Sequence, residues 1–594
     1  MKELLTGNEA IARGAYESGV TFASAYPGTP STEILENLAL YKDSVYAEWA
    51  PNEKVAVEGA IGASIAGARA LAAMKHVGVN VAADPLFTFA YTGVNGGCII
   101  VSADDPGMHS SQNEQDNRYY AKSAKVAMIE PSDSQEAKDF VKIAFEVSEK
   151  YDTPVLFRVT TRICHSKSLV EIGERENRPI LPYQKNIPKY VATPANARVL
   201  HVKLEERLKK LEEFSNTTEL NRIEWNSKKI GILSSGVAYQ YAKEVFGKNA
   251  SYFKLGFTYP LPMKKIKEFA EQVETLYVIE ELEPYIEEQV KAAGIQCIGK
   301  ELIPRIGELN PDIIAKAILK EERPTVQIDE VSAVGRPPTL CAGCPHRGFF
   351  YVLAKKKNIM ITGDIGCYTL GSAEPLSALD TVICMGASIS AGHGAQKAFA
   401  INGVDKKVVT VIGDSTFFHS GVTGLMNIVY NKGNAITVIL DNRTTGMTGH
   451  QENPGTGYTL QGEPTYEMNI PLLCEGLGIK KENIYVVNPL DLEACNRVLD
   501  EALEKEEPVV IVTQWPCVLK KLTHQDKQRF TKEKTACKID EEKCKFCRIC
   551  MKTGCPGISF DDKVYINENM CVGCQVCLQA CPFGAIVKAG ESNE

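Results

Sequence analysis

No stretch of this 594-residue sequence stays apolar for about eighteen positions, so no membrane-crossing helix is expected. There is no long basic run, and the net charge of −8 argues against a nucleic-acid partner. Residues 1–20 hold Asn8, Glu9, Arg13 and Glu17 where a secretory leader would be apolar, so no signal peptide and a cytoplasmic location are expected. No solenoid-type repeat is present. The 44% hydrophobic content is that of ordinary globular domains, and the length suits about three to five of them.

What the chain has in quantity is cysteine, nineteen in all, eight of them crowded between residues 544 and 581. In a chain without a leader such crowding points to metal or cluster ligation rather than disulfides.

The second half is organised around residues 408–442. Residues 408–412 are an apolar, β-branched run of strand length, which Gly413-Asp414-Ser415 breaks. Val422, Leu425, Met426, Val429 and Tyr430 recur on one face of a helix that Gly433 stops. Residues 436–440 form a second buried strand, with Asp441-Asn442 at its end. Such a strand–helix–strand unit of a parallel sheet presents Asp414 and Asn442 on one edge, where α/β sheets bind ligands. A carboxylate and an amide oxygen suit magnesium carrying a diphosphate. An ordinary αβ unit with an aspartate at the helix start reads the same way.

Residues 1 to about 185 read as a first αβ domain. A strand at 20–25 leads into Tyr26-Pro27-Gly28-Thr29-Pro30, where Ser31 or Thr32 can cap a helix beginning near Glu33. Glu53 precedes a small-residue helix expected over 55–73, and a buried strand at 98–102 opens the polar loop 103–117. The strand at 154–160 reads as the last of this domain. Residues 186–227 form a helical linker with Leu204, Leu208 and Leu211 on one face. A second αβ domain covers 228–325, with strands at 230–233 and 276–279. An irregular connection at 326–338 leads to a third, 339–530, which ends after a strand at 509–513. A lysine-rich tether, 531–538, joins it to a cysteine-rich module at 536–594.

In that module Cys544, Cys547 and Cys550 precede Cys555-Pro556, and Cys571, Cys574 and Cys577 precede Cys581-Pro582. The doubled array resembles a bacterial two-cluster ferredoxin, with a pair of zinc knuckles as the alternative. The ferredoxin resemblance implies crossed ligation, Cys544, Cys547, Cys550 and Cys581 on one [4Fe-4S] cluster and Cys571, Cys574, Cys577 and Cys555 on the other. Four residues, 551–554, stand between Cys550 and Cys555 where three are usual, so one is expected to loop out. Elsewhere Cys98, Cys164, Cys297, Cys384, Cys474 and Cys495 read as small buried hydrophobes, and Cys537 has no assigned role.

The whole chain resembles the 2-oxoacid:ferredoxin oxidoreductases, most closely the branch acting on aryl 2-oxo acids such as indolepyruvate. The resemblance rests on YPGTPSTE at 26–33, CAGCPHRG at 341–348, GDIGCYTLG at 363–371, CMGASI at 384–389, GDSTFFHSG at 413–421, LDN at 440–442 and the terminal ferredoxin. It implies an α/β multi-domain fold. Two thiamin diphosphate-binding αβ domains would lie at 1–185 (pyrimidine) and 339–530 (diphosphate), a transketolase C-terminal-like domain at 228–325, and a small 2[4Fe-4S] ferredoxin domain at the end.

The implied reaction is oxidative decarboxylation of an aryl 2-oxo acid to its acyl-CoA, with pyruvate or 2-oxoglutarate oxidation, or an electron-transfer subunit with a vestigial thiamin site, as alternatives. Coenzyme A, an external ferredoxin and a small beta subunit in an α2β2 assembly are the implied partners.

Residue by residue, the resemblance places magnesium on Asp414, Asn442 and the Thr444 carbonyl. It places thiamin diphosphate against Ile365, Gly366, Cys367, Tyr368, Ser388, Gly413, Asp414, Ser415, Thr416, Asn442, Gly446 and Met447. A proximal [4Fe-4S] cluster falls to Cys341, Cys344, Cys367 and Cys517. The glutamate that sets the cofactor's reactive tautomer lies nine residues before the first glycine of a Gly-Ala-x-x-x-Gly-Ala segment. Gly62-Ala63 and Gly67-Ala68 fit, which makes it Glu53, with Glu58 the runner-up. Thr29 is the expected contact of the substrate carboxylate, and the loop 109–112 is expected to face the substrate. Smaller pyruvate-specific relatives use an arginine near there, and no residue of this sequence is assigned to that position. His346 is left unassigned.

Overall fold

The computed structural model describes residues 1–324, 335–531 and 535–590. Most of the connection expected at 326–338, and residues 532–534 of the tether, lie outside the described residues. The chain divides into two compact units, Met1–Ile328 and Asp329–Glu594.

The main sheet of the first unit has seven strands, in the order Phe257–Tyr259, Ala127–Ile129, Val155–Thr160, Cys98–Asp104, Ala70–Lys75, Phe22–Ala25 and Tyr46–Trp49. All neighbours run parallel except the first pair. Every residue of Cys98–Asp104 and of Val155–Thr160 is buried, as strands covered on both faces require. A four-stranded sheet follows, Thr275–Ile279, Ile230–Ser235, Ser251–Leu255 and Arg222–Glu224, with only the last strand antiparallel. The helix Pro194–Thr217 buries Leu200, Leu204 and Leu211 against this unit.

Three expectations for this unit are corrected. The helix expected over 55–73 is Glu53–Ile65, capped by the Asn52 side chain, and Ala70–Lys75 is a strand in the middle of the sheet. Gly67, at φ +100°, lies beyond the helix end and turns the chain. A run of alanine and glycine carries no period that would separate the two elements. Ser31 does not cap its helix through its side chain, because its hydroxyl donates back to the Gly28 carbonyl at 2.9 Å. Val155–Thr160 is not the last strand of its segment, since Lys167–Glu171 follows and pairs antiparallel with Lys2–Thr6.

The second unit holds a fully parallel six-stranded sheet: Thr381–Val382, Ile359–Gly363, Lys407–Gly413, Ile436–Asp441, Val509–Gln514 and Ile484–Val487. Alternate residues feed two cores. Val409, Val411, Val438, Leu440, Val509 and Ile511 pack on one face. Val408, Ile412, Ile439, Val510 and Val512 pack on the other, as the two-residue period of a strand dictates.

The helix after Asp414 departs from the expected face. It runs Val422–Tyr430 after a π turn, Phe417–Gly421, and it buries Gly424, Leu425 and Ile428. Met426 and Tyr430 are 50% and 84% exposed. The packed face is built on glycine: a Cβ on Gly421 would come within 2.8 Å of Ile412, and one on Gly424 within 3.1 Å of Ile389. A hydrophobic pattern does not register such a face.

The terminal module consists of two antiparallel pairs, Cys537–Ile539 with Ile586–Lys588 and Ile558–Phe560 with Val564–Ile566. The last part of the expected tether is therefore a strand.

Candidate active site

At the strand ends of the second unit, Asp414 is buried and its Oδ2 accepts from Asn453 Nδ2 at 3.0 Å. Burial, and then the charge of Asp441, push the Asp414 carboxyl up to about 7; burial raises Asp441 as well. Two carboxyls confined like this form a donor set that a dication relieves. Asn442 Oδ1 accepts from Thr444 N at 3.1 Å around Arg443, which sits at φ +61°. That left-handed turn is held by Lys520 Nζ on the Arg443 carbonyl at 2.6 Å and by Arg443 Nε on Asp526 at 2.7 Å. Asn442 Nδ2 faces His346 Nε2 at 3.4 Å. Burial lowers His346 to about 4, so its ring is neutral and Nε2 can accept.

The remaining expected cofactor positions gather on this edge. The Tyr368 hydroxyl donates to the Ile365 carbonyl at 2.8 Å, and Thr416 Oγ1 donates to the same oxygen at 3.1 Å. A Cβ on Gly366 or Gly413 would strike the Tyr368 ring, at 2.3 and 2.5 Å. Ser415 and Thr445 hydroxyls bond at 2.8 Å. Asp364 takes the backbone N–H groups of Gly386 and Ser388, both at 2.9 Å, and so places Ser388. A Cβ on Gly446 would stand 3.5 Å from both Asn442 Nδ2 and Cys367 Sγ. Met447 is half exposed. Asp441 and Asp364 lie inside quoted motifs but carry no role of their own in the sequence reading, and nothing in its local sequence marks Asn453.

The four proximal cysteines converge beside this edge. Cys344 lies in the fields of Cys367 and Cys517, and Cys367 in those of Cys517 and Cys341. Burial first, then these neighbours, push the Cys344 thiol up to about 12 and Cys367 to about 11. Thiols that resist ionisation alone are suited to a cationic iron cluster that replaces their protons. Cys517 N donates to the Asn442 carbonyl at 2.9 Å, so Cys517 abuts the Asn442 turn directly. Buried Arg347 donates to the carbonyls of Leu340 and Cys341 at 2.6 and 3.0 Å, and to that of Thr553 at 2.8 Å.

In the terminal module cysteines of the two runs lie near one another. Cys550 lies in the fields of Cys581 and Cys547. Cys574 lies in those of Cys555 and Cys571, and Cys577 in those of Cys574 and Cys555. Cys544 stands one step before Cys547, its N–H donating to Asp540 at 3.0 Å. Gly554, at φ +66°, accommodates the extra residue before Cys555. Cys537 is buried here: its N–H donates to Cys571 Sγ at 3.3 Å, and its thiol is hydrogen-bonded to that of Cys577. Among the described residues no three His, Cys, Asp or Glu converge as a single metal ion needs; cubane ligands each bind a different iron and stand farther apart. Of the remaining cysteines, Cys98, Cys164, Cys474 and Cys495 are buried as expected, whereas Cys297 is half-buried and Cys384 exposed.

The first unit presents its own constellation on one sheet edge. Tyr46–Trp49, Phe22–Ala25, Ala70–Lys75 and Cys98–Asp104 are adjacent and parallel, and the segments after them carry Glu53, Thr29, His76 and Ser110. Glu53 is 4% exposed and lies so close to Gly78 that a Cβ there would meet its Oε1 at 2.7 Å. Glu58 is exposed and pairs with Lys54 at 2.9 Å. Thr29 is half-buried, and its carbonyl accepts from the Ser110 hydroxyl at 3.4 Å, which joins the two expected substrate loops. Burial raises Asp105, yet hydrogen bonds from Thr161, Ser110 N and Ser111 outweigh it and hold the carboxyl below its ordinary range. His109 turns away toward Glu308.

The fold and these sites define a thiamin diphosphate-dependent oxidoreductase with an iron–sulfur domain. Residues 13–216 match the family model for the pyruvate flavodoxin/ferredoxin oxidoreductase thiamine diphosphate-binding domain. Residues 364–513 match the thiamine pyrophosphate enzyme C-terminal TPP-binding domain, and 564–587 the 4Fe-4S binding domain. Indolepyruvate oxidoreductase subunit IorA of Archaeoglobus fulgidus is 41% identical over 623 residues, covering 100% of this chain and 98% of that protein. The Pyrococcus horikoshii IorA is 42% identical over 639 residues, with the same coverage. A solved 2-oxoglutarate:ferredoxin oxidoreductase from Magnetococcus marinus aligns over 54% of this chain and 65% of its own, at 18% identity and a TM-score of 0.45. The chain belongs to the indolepyruvate oxidoreductase subunit IorA family. No helix among the described residues is long and apolar enough to cross a membrane.

Proposed function

We propose that this chain is the alpha subunit of an indolepyruvate:ferredoxin oxidoreductase, which converts aryl 2-oxo acids and coenzyme A to aryl-acetyl-CoA and CO2 and delivers the electrons to an external ferredoxin. One observation carries the reading: the Asp414–Asn442 edge abuts thiols. Cys517 is bonded to the Asn442 carbonyl, and Cys367 Sγ shares the flank of Gly446 with Asn442 Nδ2. A thiamin site edged with cluster ligands suits electron removal, where a simple decarboxylase needs none. Full-length identity to IorA proteins favours aryl substrates over pyruvate or 2-oxoglutarate.

When bound, thiamin diphosphate supplies a nucleophilic carbon and an electron sink. Asp414, Asn442 and the Thr444 carbonyl would hold its magnesium. Neutral His346 would fix the Asn442 amide by accepting from its nitrogen. Glu53 would bond the pyrimidine ring, and Thr29 would orient the substrate. Cys341, Cys344, Cys367 and Cys517 would carry a proximal cluster, and the two crossed cysteine sets the terminal pair. A small beta subunit in an α2β2 assembly would complete the enzyme.

The test is anaerobic turnover of the purified complex with indolepyruvate, pyruvate or 2-oxoglutarate, each with coenzyme A and a dye acceptor. The reading expects kcat/KM for indolepyruvate to lead by at least about tenfold. A lead for either of the others would replace the substrate assignment. Absence of thiamin diphosphate from active complex would replace the mechanism.

A further inference from the structure

A 2-oxo acid brings a carboxylate, and a site that binds it needs a cation. Four cations stand at or behind the strand edge that carries Thr29 and Ser110. Arg118 is paired with Asp116 and Glu280, both at 2.6 Å. Arg158 is paired with Asp104 at 3.0 Å and Glu130 at 2.7 Å, and Arg162 with Glu308 at 2.5 Å. Lys75 is in no ion pair with any described residue. It is the last residue of Ala70–Lys75, the strand between those that lead into the Thr29 and Ser110 loops.

The stem of Lys75 lies along Gly28, where a Cβ would come within 3.2 Å of its Cγ. Its Nζ donates to the Ser110 carbonyl at 3.1 Å, and the Ser110 hydroxyl in turn donates to the Thr29 carbonyl. The side chain is thus held between the two loops, half-buried, with one hydrogen bond for three ammonium donors. The nearest acidic neighbours, Asp105 and Glu53, act on it only through their fields. Asp105 is already engaged by Ser110, Ser111 and Thr161. Burial lowers the Lys75 pKa, as it does for an ammonium short of a counter-ion.

We propose that Lys75 Nζ binds the carboxylate of the 2-oxo acid substrate, with the Thr29 segment alongside. This rests on the oxidoreductase reading above. The charge it pairs with departs as CO2, so its interaction belongs to the bound substrate, and its loss falls on KM more than on kcat.

The experiment uses the full chain with its partner subunit, as wild type, Lys75→Gln and Lys75→Arg. With indolepyruvate, Lys75→Gln should raise KM about ten- to a hundredfold, while Lys75→Arg stays within a few-fold of wild type. The KM for coenzyme A and the affinity for thiamin diphosphate should hold in both. Calorimetry with indole-3-lactate, an unreactive carboxylate, should show the same loss of affinity in Lys75→Gln. Binding of tryptophol, which lacks the carboxylate, should not change. Wild-type KM in Lys75→Gln, or a rise confined to coenzyme A, overturns the assignment of Lys75 and leaves the oxidoreductase reading standing. A wild-type complex that turns over no 2-oxo acid overturns the reading itself, and the Lys75 assignment with it.

Discussion

Arg347 Nη1 donates to the carbonyl of Thr553 at 2.8 Å, and through it the Cys341–Cys344 loop is fastened to the turn between Cys550 and Cys555. The contact is backed by Gly343, where a Cβ would stand 2.1 Å from Val572, itself between Cys571 and Cys574. Val572 lies within the set Cys571, Cys574, Cys577 and Cys555, and Thr553 lies between Cys550 of one set and Cys555 of the other, so electrons leaving a proximal cluster would enter the terminal module at this seam. Arg347→Met strands two buried carbonyls, those of Leu340 and Thr553, and should cost about 2 to 3 kcal/mol in urea unfolding. Iron content should hold while reduction of the terminal clusters by substrate slows. Unchanged reduction kinetics would separate Arg347 from electron transfer.

The cluster count is a second prediction. Twelve cysteines assigned to three sets would hold about twelve irons per chain, read by anaerobic iron and sulfide analysis. Cys517→Ala should take the count toward about eight. A wild-type count of eight would remove the proximal cluster, and zinc in place of iron would remove the ferredoxin assignment.

Most of the second unit's site is legible in the sequence because its parts are local. Gly413-Asp414 and Asp441-Asn442 each end a continuous apolar strand, and the cysteine triplets repeat at fixed steps. What escapes is long-range or chemically plain. His346 reaches Asn442 from 96 positions away, and Asn453 reaches Asp414 from 39. Lys75 is hidden because Ala70–Ala73 looks like the continuation of an alanine-rich helix. Only the left-handed Gly67 and burial in the sheet centre make it a strand. Cys537 looks like part of a lysine-rich tether until its strand pairs with Ile586–Lys588.

Glu53 gives a third prediction. Glu53→Gln keeps size and hydrogen bonding but loses the charge, and turnover should fall about a hundred- to ten-thousandfold. Cofactor affinity should change far less. Gly78→Ala should act in the same direction more weakly, since its methyl displaces Glu53. Steady-state kinetics beside a thiamin diphosphate titration reads both. Wild-type turnover in Glu53→Gln would eliminate it.

The acid–base prediction concerns Glu281. Burial raises its carboxyl to about 7, against the opposing field of Arg158 and the Leu309 N–H on its Oε1 at 3.1 Å. The folded state therefore holds this proton more tightly than the unfolded chain. Its contribution to stability is complete below the unfolded value near 4.5 and is lost as pH rises through about 7. Glu281→Gln keeps the acceptor and should be more stable than wild type by ~2 to 3 kcal/mol at pH 8, and by little at pH 5. Chemical unfolding at the two pH values reads the difference. Equal effects would place the cause elsewhere.

Magnesium is tested at Asp414. Asp414→Ala removes a charged ligand and should abolish thiamin diphosphate binding in calorimetry, while the fold survives because the site lies at strand ends. Unchanged affinity would leave the segment an ordinary αβ turn.

The central claim is that substrate reacting at the Asp414–Asn442 edge fills the cysteine-bound clusters with electrons. Anaerobic mixing of the oxidised complex with indolepyruvate, without acceptor, tests it in one trace of cluster absorbance. With magnesium and thiamin diphosphate present the clusters should bleach, and with the cofactor omitted or in Asp414→Ala they should stay oxidised. Clusters that stay oxidised in the loaded wild type, or that bleach equally without thiamin diphosphate, would contradict it.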